Sequence, residues 1–136
     1  MSDQAIYAAP RIVEDLADCY FYHTMDLPTL GTVDGLWDLR GRANIYLGGV
    51  DFQRKRVLDI GAASGFLSFS MEAMGAEVVS YDLSENQSWD IVPFSGRSGD
   101  EILPKRRKHI RRINDSYWLA SISTASLQLT VSARTG

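Results

Sequence analysis

Residues 56–66 read Arg56-Val57-Leu58-Asp59-Ile60-Gly61-Ala62-Ala63-Ser64-Gly65-Phe66. A short apolar run carries an acid near its end, and a loop of small residues follows. Val57 to Ile60, β-branched at two positions, predicts a buried strand of a parallel sheet. Gly61 and Gly65 bracket the loop, where they permit backbone angles and close approaches that other residues resist. From Phe66 onward, Leu67, Phe69, Met71 and Met74 predict a buried helix, and Gly75 suits its C-terminal stop. A second strand is expected over residues 76–81, closed by Asp82. The order is strand–loop–helix–strand, so the fold class is α/β.

This order has chemical consequences. The first N–H groups of a helix have no partner within it, so the helix beginning at Phe66 aims donors at whatever occupies the loop. Asp82 lies 82 − 61 = 21 residues after Gly61. That is close to the separation, roughly 20 residues, at which an acid grips ribose hydroxyls. Together these features predict a site for an adenosine-containing cofactor. A nicotinamide or flavin fingerprint wants glycine at the first, third and sixth loop positions. Those positions hold Gly61, Ala63 and Phe66, and only the first fits. An oxidoreductase is therefore the weaker reading.

The pattern Asp59-x-Gly61-x-Ala63-x-Gly65 instead resembles the first motif of class I S-adenosylmethionine (SAM) methyltransferases, which usually carries glycine where Ala63 stands. The resemblance implies a Rossmann-like open sheet, SAM as cofactor and methyl transfer as the activity. It implies cofactor binding by Asp59, Gly61, Ala62, Ala63, Ser64, Gly65, Asp82 and Leu83. Asp59 then faces the methionine amino group, Asp82 the ribose and Leu83 the adenine. The segments Tyr22-His23-Thr24-Met25, Gly35-Leu36-Trp37-Asp38-Leu39-Arg40 and Trp89-Asp90 extend the likeness over residues 20–120. They resemble the branch that includes wobble-uridine tRNA-modifying enzymes and uncharacterised relatives. The implied acceptor is a small molecule or tRNA, with Tyr22, His23 and Arg40 as candidate substrate residues. His23 suits general-base work near neutral pH, against the plainer reading of a loop histidine bonded to nearby backbone. Arg40 suits bidentate binding of a carboxylate, against an exposed residue at a capped helix start.

The chain has 136 residues, 45% hydrophobic and 23% charged, an ordinary balance for a soluble globular domain. No apolar run nears the roughly 20 residues of a membrane span, and the N-terminus lacks a signal-peptide pattern, so a cytoplasmic location and no membrane partner are expected. The single cysteine, Cys19, excludes an intrachain disulfide and a cysteine-based metal site, and reads as a small core residue. Two isolated histidines, His23 and His109, point away from any metal.

A full domain of the resembled type takes about 200 residues, and only 136 − 65 = 71 residues follow the loop. The expectation is a helical extension over residues 1–50 and a partial SAM-binding domain over 51–136. A truncated product, or a tail read in a shifted frame, accounts for the divergent stretch Ser121 to Gly136. Resequencing that finds no downstream continuation in another frame counts against this. The alternative is a non-catalytic remnant or oligomerising module that self-associates through an exposed sheet edge.

Elsewhere, Ile12, Val13, Leu16, Cys19 and Tyr20 predict a helix over residues 10–22. Residues 26–38 read as loop. A short helix is expected over 36–48, with Leu36, Leu39, Ala43 and Leu47 as core contacts. A further helix covers 104–119, and the alternation of Leu127, Leu129 and Val131 suggests a third strand. Residues 1–103 hold 7 basic and 16 acidic groups, net −9, and residues 104–136 hold 7 and 1, net +6. The basic run Lys105 to Arg112 can mark a nucleic-acid or acidic-partner surface, but it reads rather as a solvated helix face, since no aromatic residue is interleaved to stack bases.

Overall fold

A short antiparallel hairpin, β1 (Met25–Leu27) with β2 (Gly31–Val33), precedes a one-turn helix α1 (Ala43–Tyr46). Strand β3 (Arg56–Ile60), helix α2 (Phe66–Ala73) and strand β4 (Glu77–Asp82) then form one continuous unit. A long helix, α3 (Gly99–Thr124), and a strand, β5 (Ser132–Thr135), complete the order. The structure is a computed structural model that describes residues 7–90 and 99–124, and the backbone of 132–135.

The architecture is α/β. Strands β3 and β4 pair in parallel, with Arg56 opposite Glu77 and Ile60 opposite Tyr81. Strand β5 joins the far side of β4, also parallel, so the sheet order is β3-β4-β5. A parallel pair requires a crossover, and α2 supplies it. The predicted strand–loop–helix–strand unit is thus present. Gly75, at φ +96°, follows the last helical residues.

Paired residues of neighbouring strands share a face. Val57 and Val78 lie on the face under α2, where Phe52, Met71 and Val78 are buried and Leu67 and Met74 pack against them. Each such side chain contributes about 1.5–3 kcal/mol when fully buried. A second cluster joins Cys19, Phe21, Met25 and Leu27 to Leu119 and Ala120 of α3. The N-terminal segment and the long helix therefore share a core. The opposite face of β3 is bare: Leu58 is 59% exposed and Ile60 73%. The expectation of a strand buried on both faces fails here, because α2 and α3 cover one face alone.

Residues 1–50 do not form the expected helical extension. The helix predicted over 10–22 is reduced to one 3-10 turn at Leu16–Asp18, capped by the Asp15 carboxylate on the Ala17 N–H. Ile12, counted as apolar face, is 79% exposed. The backbone here bonds across the fold instead, with the Tyr20 N–H donating to the Arg112 carbonyl at 3.0 Å. The loop expected over 26–38 contains most of the hairpin, turned by Leu30 N–H to Leu27 O and by Gly31 at φ +76°. The helix expected over 36–48 shrinks to Ala43–Tyr46; Ala43 is buried, but Leu36 is exposed. The helix expected over 104–119 is longer at both ends. The strand expected around Leu127, Leu129 and Val131 falls at residues outside those described.

Candidate functional site

The loop at the tip of β3 is built mainly from its backbone. Gly61 and Ala62 both donate N–H bonds to the Tyr81 carbonyl, at 2.7 and 3.3 Å, carrying the ladder past the strand end. Gly61 sits at φ +80°, and a Cβ there meets no atom within 4 Å, so this side of the loop is open. Ala63 adopts φ +50°, an unusual angle for a non-glycine residue and the position where the resembled motif usually carries glycine. Gly65, at φ +87°, caps α2; a Cβ there lies 2.7 Å from the Phe69 ring and 2.8 Å from the Tyr117 ring. Both backbone angle and packing demand glycine.

The two strand-end acids have different tasks. Asp82 faces the loop, where its Oδ2 accepts the Ala63 N–H at 2.6 Å and its Oδ1 accepts the Leu83 N–H at 2.7 Å. Asp59 lies beneath, accepting from the Ser68 hydroxyl at 2.6 Å. Ser68 is 2.8 Å from Ser80, which also accepts from the Tyr117 hydroxyl at 3.0 Å. Ser68 has spent its one proton on Asp59, so Ser80 donates to Ser68 and the chain runs Tyr117 to Ser80 to Ser68 to Asp59. Ser64 is fully buried, accepting from the Tyr22 N–H at 2.7 Å and donating to the Ser116 hydroxyl at 3.0 Å, whose own proton goes to the Ile113 carbonyl. It anchors the loop to the N-terminal segment and to α3.

Ala62, Ala63, Asp82 and Leu83 line one cavity of about 100 Å³ together with Arg11 and Asn114. Asn114 fixes the Leu83 carbonyl through a 3.0 Å bond. Arg11 pairs with Glu85 and, at 2.7 Å, with Asp115, tying the N-terminal segment over the cavity. The lining suits an adenosine: a carboxylate for hydroxyls, an apolar side chain for a ring face and loop backbone for close approach. Its volume does not yet suit a whole cofactor, since small-molecule sites run to roughly 300–1,000 Å³.

The candidate substrate residues do not gather there. His23 stands beside the Phe66 ring, with centroids 5.6 Å apart, and next to Tyr22 at 5.0 Å. Its Nδ1 is buried without a partner, so its ring is not the backbone-bonded one that the plainer reading supposes. Burial lowers its pKa from the usual 6.5, and the nearby Asp59 charge opposes that shift. Tyr22 is partly exposed. Arg40 is held at the surface by Asp38 at 2.8 Å and Asp26 at 2.9 Å. These bonds hold the Asp38 carboxyl down to about 2 and spend the guanidinium on the chain's own acids.

Arg11, Glu85, Asn114 and the Ser68–Ser80–Tyr117 chain escape sequence reasoning. One signal existed: Ser68 and Ser80 interrupt apolar runs, and a polar group in a buried run must find a partner. Cys19 is the core residue expected; burial, then the Asp115 and Asp18 charges, push its thiol up to about 11. Among the described residues, no group of three or more His, Cys, Asp or Glu is placed to hold a metal ion, and no helix is long and apolar enough to cross a membrane.

Comparisons with protein-family models, with curated proteins and with solved structures found no match.

Proposed function

We propose that this chain is a Rossmann-like unit that binds SAM at the Gly61–Gly65 loop and serves methyl transfer. The observation that carries the reading is the Asp82 carboxylate, set against the loop backbone in a cavity that Leu83 also lines. When bound, the cofactor supplies an activated methyl group. The chain supplies position. Asp82 would hold the ribose hydroxyls, Leu83 would lie beside the adenine, and Asp59, beneath the loop on Ser68, would supply negative charge for the methionine ammonium. The acceptor is a small molecule or tRNA. His23, neutral near pH 7 with an unpartnered Nδ1, is the candidate residue on the acceptor side; Arg40 is not needed.

Isothermal titration with SAM and with its demethylated product tests the proposal. Binding is expected, and Asp82→Ala weakens it by about tenfold or more, equivalent to ~1.4 kcal/mol. No heat at about 100 µM protein, well above a micromolar Kd, sinks the cofactor assignment.

A second reading rests on the bare face of β3. Leu58 and Ile60 stand exposed on a strand that, among the described residues, is paired only on its β4 side. Such an edge favours self-association. Size-exclusion chromatography separates the readings. A concentration-dependent oligomer that Ile60→Lys dissolves supports the interaction module, and a sharp monomer at all concentrations removes it.

A further inference from the structure

The basic run on α3 holds no Phe, Tyr or Trp, but the fold brings such rings to its His109. The Tyr20 ring packs edge-on against His109, with centroids 4.5 Å apart, and the Trp89 ring stands 6.0 Å from His109. The Arg112 guanidinium sits 5.9 Å from the Tyr20 ring centre. The Arg106 guanidinium donates to the carbonyls of Trp89 and Asp90, at 3.2 and 3.3 Å, and so holds Trp89 against the helix. Three rings, two from distant segments and His109 of α3, thus gather on a cationic helix. Trp89 remains 45% exposed.

A groove of about 460 Å³ opens here, lined by Trp89, Glu101, Ile102, Lys105, Arg106 and His109. Lys105, Lys108 and Arg112 fall within about 60° of one another around the helix axis, alongside the rings. Lys108 and Arg112 line a separate groove of about 330 Å³ further along the helix, with Arg111, Asp18 and Asp115. Among the described residues, none of the cations from Lys105 to Arg112 forms an ion pair with a carboxylate. A simple solvated face explains the charge but not an exposed indole fixed beside it.

We propose that this face binds single-stranded nucleic acid, with a base stacked on Trp89 and the phosphates following Lys105, Lys108 and Arg112. The charge is complementary, the rings supply a platform that accepts any base, and cations spread over two grooves along one helix suit a polymer rather than one nucleotide. Glu101 in the first groove and Asp18 and Asp115 in the second interrupt the positive field. This inference does not rest on the cofactor reading, since the face and the loop cavity have no lining residue in common.

The test is fluorescence anisotropy of a labelled oligouridylate of about 12 nucleotides, within the site sizes of single-strand binders. Binding is expected at low salt, with a log–log salt slope near −2, about −0.7 for each of three phosphates neutralised. Trp89→Ala weakens binding about tenfold and leaves the slope unchanged, while Trp89→Phe retains most of the affinity. Lys105→Ala with Lys108→Ala flattens the slope by about 1.4. No binding at low salt overturns the proposal. So does equal binding of polyphosphate or an acidic peptide with no effect of Trp89→Ala, which assigns the face to acidic partners in general. SAM titration of the same Trp89→Ala variant keeps the two proposals apart, because its SAM affinity is expected to be unchanged.

Discussion

Glu72 offers the sharpest test of the packing between α2 and α3. It lies one helical turn after Ser68, on the side of α2 that faces Tyr117, whose phenol its charge helps to raise. Its Oε2 is buried without a hydrogen-bond partner, and burial pushes its carboxyl up from the usual 4.5 to about 7. The folded pKa is raised for an acid, so ionisation opposes folding. The penalty is absent when both states are protonated, grows between about 4.5 and 7, and is complete above. The rise from 4.5 to about 7 corresponds to about 3.4 kcal/mol at most. The side chain is only half-buried, and water on its open side screens the charge, so about half of that survives, ~1.5 kcal/mol. Glu72→Gln keeps the shape and removes the charge. The variant is expected to gain about 1–2 kcal/mol at pH 8, roughly 3–6 °C in Tm, and less than about 0.5 kcal/mol at pH 4.5. Urea unfolding followed by tryptophan fluorescence at both pH values reads this directly. The same gain at both, or none at pH 8, refutes the argument that an unpartnered buried charge is the cause.

Ala63→Gly removes a left-handed alanine and is expected to stabilise the chain by about 0.5–1 kcal/mol; a loss in urea unfolding shows that the loop is not strained there. Ser68→Ala strips Asp59 of its donor and ends the chain from Tyr117, costing about 1–3 kcal/mol. A neutral result in thermal melts removes that chain from the account of the loop. Cys19, buried and with its thiol pushed up to about 11, should resist a thiol reagent at pH 8 and react only when urea unfolds the chain. Fast labelling of the native protein contradicts its place in the core. The His23 ring should titrate below the usual 6.5 by NMR, with stability falling as pH drops below that value; a raised pKa shows that Asp59 outweighs burial.

The loop and its flanks were legible because their signals are local. Val57 and Val78 mark strands, and Gly61, Gly65 and Gly75 stand where the backbone takes positive φ. The N-terminal segment was misread because Ile12, Val13, Leu16 and Cys19 fit a helical period, yet its backbone bonds to α3 and to the loop instead. The hairpin at residues 25–33 was missed because three-residue strands are too short to show alternation. Asp82 was placed near its loop by spacing alone; that it grips the Ala63 N–H was not visible.

By itself the sequence determined the β3–α2–β4 unit, the glycine positions around the loop, the acid at the tip of each strand and the burial of Cys19. Apolar period, positive-φ residues and strand-end acids are all read within about 25 residues of chain, where local geometry governs. Only the tertiary structure joined Arg11 to Glu85 across 74 residues, ran a hydrogen-bond chain from Tyr117 to Asp59 and set Trp89 beside the basic face of α3. These contacts need both partners delivered by separate segments, and no local pattern encodes which segment arrives. It also left Leu58 and Ile60 bare, because a strand's apolar run states what it can bury and not what will cover it.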